Sequence, residues 1–138
     1  MEKFNYRKFP SNERKEWLNK FGGIKLFRDN FRVRPYGETN NSSFDWLGLG
    51  TRKSKSPAAI SKKQGGYKVE PENIAGAIKI SRTANIDFED KSSREGLQEN
   101  KTFQVFKEII QGIIGVFEED RAFIAREMLM FLMKIILN

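Results

Sequence analysis

An α+β fold is predicted for this chain on three observations. Residues around Asp29-Asn30 alternate in the manner of a β-hairpin, Ile74 to Ile80 (IAGAIKI) forms a further strand-like run, and the C-terminal stretch carries a sustained helical period. A short helix, a hairpin, a long loop, a strand and a long helix build a small mixed sheet packed on helices.

Met1 to Pro10 has no clear period and is expected to fray. Ser11 reads as an N-cap for a short helix with Glu13 and Glu16 early and Trp17, Leu18 and Phe21 apolar; Gly22-Gly23 ends it. Ile24 to Arg34 follows as the hairpin, turning at Asp29-Asn30, with Pro35 closing its second strand. Tyr36 to Glu72 is rich in Gly, Ser, Asn and Lys around one apolar island at Phe44, Trp46, Leu47 and Leu49. The island is expected to be pinned to the core, with Trp46 as loop anchor rather than base-stacking platform, and Lys53 to Gly66 to be mobile.

Asn85 to Lys91 reads as an acidic connection, after which Ser92 or Ser93 is expected to cap the last helix. Phe103, Phe106, Ile110, Ile113 and Phe117 step by three and four, and the register continues through Ile124, Met128, Phe131 and Ile135. Running unbroken from Glu99, such a helix is about 60 Å long at ~1.5 Å per residue. Gly112 and Gly115 are places for a bend or a close contact. Glu118, Glu119 and Asp120 read as a solvated face, and the nearly all-apolar last turns need a partner surface.

Composition removes whole classes of chemistry. The 138 residues contain neither Cys nor His, which excludes disulfides, thiolate or imidazole metal sites and histidine-based triads. The longest apolar run, Met128 to Leu137, is about half the ~20 residues that span a bilayer and carries Lys134. No secretory leader is visible, so a cytoplasmic protein without membrane association is expected. Charge is unevenly placed: Met1 to Val69 holds 16 Lys/Arg against 6 Asp/Glu, whereas Glu70 to Asn138 holds 9 against 12. Arg52, Lys53, Lys55, Lys62, Lys63 and Lys68 lie between Trp46 and Val69 with no acid among them. Such a stretch suits phosphate of a nucleotide or nucleic acid, or is a solvated lysine-rich loop. Arg28, Arg32 and Arg34 on the hairpin stand under the same two readings, with a domain interface as a third. Glu89 and Asp90 are adjacent, with no partner that makes them an acid/base pair.

Asp87 to Asn100 (DFEDKSSREGLQEN) reads as a loop entering a helix, with Ser93, Arg94 and Gln98 near its N-terminus. Such an end favours anions, and Arg94 and Gln98, four apart, would share a helical face. A solvated ion pair of Arg94 with a neighbouring carboxylate fits the same spacing. Ser93-Arg94-Glu95-x-Leu97-Gln98 is similar to the middle domain of the ninety-kilodalton heat-shock chaperone. Gly22-Gly23-Ile24, Phe27-Arg28-Asp29-x-Phe31-Arg32-Val33-Arg34-Pro35-Tyr36-Gly37-Glu38, Asp45-Trp46-Leu47-Gly48-Leu49 and Ser93-Arg94-Glu95-Gly96-Leu97 resemble bacterial ATP-binding proteins of the histidine-kinase/heat-shock-like (GHKL) ATPase superfamily.

The resemblance covers roughly Gly22 to Arg121 and implies a transducer domain with a ribosomal-protein-like fold and a left-handed βαβ crossover. It implies that residues 1–21 form a tail and short helix, 22–121 the transducer with a basic loop at 37–72, and 122–138 a helical extension. That extension would meet a further domain or a second copy as a homodimer. It further implies that Arg94 reaches the γ-phosphate of ATP held by a separate N-terminal ATPase domain, with Ser93 at the nucleotide and Gln98 in support. The superfamily's Glu/Asn helix, Asp-x-Gly-x-Gly and Gly-rich lid are not in this sequence, and Lys91 stands where the chaperone carries asparagine. The chain alone is therefore expected to bind no cofactor and to be no enzyme, ATP and Mg belonging to the full-length protein. A nucleic-acid-binding module using the basic loop and the hairpin is the alternative. The apolar ending and missing ATP site suggest a piece cut from a longer protein.

Overall fold

The computed structural model describes residues 11–56, 67–84, 88–91 and 96–137. Helix α1 (Ser11–Phe21) leads into β1 (Gly23–Arg28) and β2 (Phe31–Val33); α2 (Leu49–Ser54) and a 3₁₀ turn at Pro71–Asn73 precede β3 (Ala75–Ile80) and α3 (Lys101–Ile136). The architecture is α+β, as predicted.

The three strands lie in the order β2-β1-β3. Strand β1 pairs antiparallel with β2, turning at Asp29, and parallel with β3 over six residues. Leu26 opposes Val33 on one side and Ile78 on the other, so all three face the same way. That face, with Ile24 and Ile80, meets the first turns of α3 at Phe103, Phe106 and Ile110. Leu26 and Phe103 are fully buried, and burial of each such side chain contributes about 1.5–3 kcal/mol.

The loop after β2 is pinned as predicted. Trp46 and Leu47 are buried, and the Trp46 indole N–H donates to the Ile24 carbonyl at 2.8 Å. The rings of Tyr36 and Trp46 lie 5.0 Å apart; Trp46 stacks on Phe103 and Tyr36 meets it at a tilt. Gly37 closes this corner at φ 71°, where a Cβ would collide with the Ile24 backbone. Lys53 and Ser54 belong to α2 rather than to a loose loop, and 57–66 lies outside the described residues, as do 1–10 and 85–87.

Helix α3 differs from its sequence reading in two ways. Its N-cap is Asn100, whose side chain accepts from the Phe103 N–H at 2.9 Å, so neither Ser92 nor Ser93 starts it. Its buried face runs Phe103, Phe106, Ile110, Ile114, Glu118 and Ala122, whereas Ile113 and Phe117 are exposed. Each step of four from Ile110 overshoots the 3.6-residue turn by about 40°, so the buried stripe winds round the helix and away from Ile113 and Phe117. The helix passes unbroken through Gly112 and Gly115.

Candidate functional site: an arginine groove and a buried carboxylate

The hairpin arginines stand at the turn end of β1 (Arg28), within β2 (Arg32) and just after it (Arg34). Together with Arg82 after β3, Arg28, Arg32 and Arg34 line an open groove of about 570 Å³, with Asp29, Asp90 and Gly96 among its other walls. Arg28 is bound inward: its guanidinium donates to the Phe88 carbonyl at 2.6 Å and to Asp90 at 2.9 Å. Asp90 thus has a partner that its sequence neighbours did not reveal. Arg32 and Arg34 share Glu38, at 3.8 and 3.2 Å. The Nε atoms of Arg28 and Arg32 are buried without a hydrogen-bond partner. The Arg82 backbone N–H donates to Asp29 at 3.2 Å, and its exposed side chain has no partner among the described residues. Cationic crowding also reaches Lys25, whose pKa is held below the usual lysine value first by burial and then by the Arg32 charge.

This groove borders the base of the segment that carries Ser93 and Arg94. Those two residues fall outside the described ones, but both sides of the segment are fixed. Asp90 and Leu97 form an antiparallel bridge; the Lys91 N–H donates to the Gly96 carbonyl at 3.1 Å and the Gln98 N–H to the Glu89 carbonyl at 2.8 Å. The chain therefore leaves and re-enters at one point. Gly96 adopts φ 83°, with the Tyr36 hydroxyl 3.1 Å from where a Cβ would stand. Leu97 next to it is wholly buried and exchanges two hydrogen bonds with that hydroxyl. Burial, above all, pushes the Tyr36 pKa up. Gln98 lies on this paired strand, exposed and before the helix begins, so the shared helical face predicted for Arg94 and Gln98 does not form.

The basic loop has a different fate. Arg52 on α2 and Lys68 before the 3₁₀ turn both bond Glu118 on α3, at 2.8 and 3.0 Å. The same carboxylate accepts the Val69 N–H at 2.9 Å and is 1% exposed. Lys53 pairs with Glu70. Two of the six basic residues thus share one buried acid and a third pairs with a surface acid; Lys55 is exposed, and Lys62 and Lys63 lie outside the described residues. Glu118 is not part of a solvated face. Its position four residues after Ile114, on the stripe of Ile110, was the signal that could have found it.

Among the described residues no three metal-ligating side chains come together. Chemically, the groove can hold an oxyanion through guanidinium forks, while the Glu118 cluster ties α2 and the Lys68-Val69 segment to α3 and leaves one nitrogen, Arg52 Nη1, without a partner. Comparison with protein-family models, with curated proteins and with solved structures finds no match to this chain.

Proposed function

We propose that this chain is a non-catalytic transducer segment of a GHKL-type ATPase, with a ribosomal-protein-like fold. In this reading Arg94 reaches the γ-phosphate of ATP held by a separate N-terminal domain, and hydrolysis there is coupled to movement of the two domains. The observation that carries the reading is the meeting of the four sequence blocks that resemble that superfamily. Ile24 accepts from Trp46, Tyr36 bonds Leu97, and Arg28 ties down Phe88 and Asp90. Blocks far apart in sequence thus build one corner. That corner holds the base of the Arg94 segment beside a groove lined with arginines. A γ-phosphate presented there would find guanidinium donors without a large rearrangement of the sheet.

Calorimetry with a non-hydrolysable ATP analogue tests this, first with the chain alone and then with a GHKL ATPase domain joined to it. The chain alone is expected to be silent. The joined protein should bind and hydrolyse ATP, and Arg94→Ala should lower hydrolysis by a factor on the order of 10³, the range for an arginine supplied to a transferring phosphate. Tight binding by the chain alone, or undiminished hydrolysis by Arg94→Ala, would overturn the proposal.

A further inference from the structure

We infer that the C-terminal end of α3 pairs with the same segment of a second copy of this chain, the two helices running antiparallel. This inference is independent of the nucleotide reading. The last buried residue on α3 is Ala122. Beyond it, every large apolar side chain from Phe123 to Leu137 is between 44% and 79% exposed. An apolar surface of this density does not stay in water when a partner is at hand.

The occupant follows from charge. Ile124, Met128, Phe131 and Ile135 are spaced four, three and four apart, the seam of a two-helix coil. One flank of that seam carries Ala125 and Leu132; the other carries Glu127 and Lys134. Lys134 is the only charged residue after Glu127. Neither has an opposite charge three or four residues away, and neither has an ionic partner among the described residues. When two such helices run antiparallel, Ile124 packs on the partner's Ile135 and Met128 on the partner's Phe131. Each Glu127 then faces the partner's Lys134, twice by symmetry. The apolar flanks meet on the opposite side. A parallel pair would instead set Glu127 against Leu132 and leave Lys134 unmatched. The segment is complementary to itself, in one orientation.

Sedimentation equilibrium of the full chain, over a range of concentrations at low salt, reads this directly. The wild-type chain is expected to dimerise. Glu127→Lys and Lys134→Glu each turn two attractions into two repulsions and should weaken association roughly tenfold, as two surface pairs of this type allow. The double variant exchanges the charges and should restore it. Both positions are exposed, so the melting of the monomeric body should not move, which separates lost pairing from lost folding. Phe131→Asp, placing charge in the seam, should give a monomer. A wild-type chain that stays monomeric would overturn the inference, as would a double variant that associates no better than the single ones.

Discussion

At Glu118 a single carboxylate receives three donors from two separate parts of the chain, and it does so with almost no water around it. Removing it strands two cations and a buried N–H, a loss of about 3–5 kcal/mol for a broken buried pair. Glu118→Ala should show that deficit in urea unfolding. Glu118→Gln, which keeps an acceptor for Val69 but not the charge, separates the two contributions. Tyr36 is the second residue on which much hangs. Tyr36→Phe leaves the Leu97 N–H unpaired in the core and should cost about 1–3 kcal/mol near neutral pH. Because the folded state holds the phenol proton more firmly than the unfolded chain does, the tyrosine's contribution is complete below pH 10. It declines as pH rises through the raised pKa. The gap between wild type and Tyr36→Phe should therefore narrow in alkaline melts, and a gap that widened there would contradict the sign.

The elements were readable in the sequence where one signal dominated. The hairpin announced itself through alternation about Asp29-Asn30, and β3 through an apolar run with no helical alternative of comparable length. The start of α3 was misread because two serines precede the true cap; Asn100 takes that place because its side chain accepts from the Phe103 N–H. Asn100→Ala should lower stability by about 1 kcal/mol in urea titration, the usual weight of a lost cap. Loss on that scale at Asn100 would place the helix start independently of Ser92 and Ser93. The buried face of α3 was misread for a different reason. Phe117 is apolar and Glu118 is charged, so hydropathy alone turns the helix the wrong way. Only the long-range partners Arg52 and Lys68, from residues far earlier in the chain, make the glutamate the inward side chain.

For the molecule as a whole, the formal charge of +7 does not say which cations are open to a polyanion. Arg28, Arg32, Arg34, Arg52, Lys53 and Lys68 each have a carboxylate partner inside the chain. Local sequence shows the Arg34–Glu38 spacing but not the pairs of Arg28 with Asp90 or of Arg52 and Lys68 with Glu118, whose acids lie far along the chain. Binding to a mixed-sequence duplex, followed by fluorescence anisotropy, should stay in the non-specific range of roughly 10⁻⁴–10⁻⁶ M at physiological salt. Arg52→Gln should lower the melting temperature while leaving that affinity unchanged. Submicromolar binding with a steep salt slope would favour the nucleic-acid module instead. No helix among the described residues is long and apolar enough to cross a membrane, and α3, for all its apolar end, is interrupted by charge.

The staple at Glu118 has a consequence for engineering. Arg52 and Lys68 are brought to one carboxylate, so both ends of the stretch between them are anchored whatever its length. Closing a longer flexible connection costs only about 0.6 kcal/mol for each doubling. A peptide tag or a small reporter domain spliced in between residues 57 and 66 should therefore leave the melting profile nearly intact. The same insert directly after Tyr36, where Gly37 is wedged against the Ile24 backbone of β1, should prevent folding.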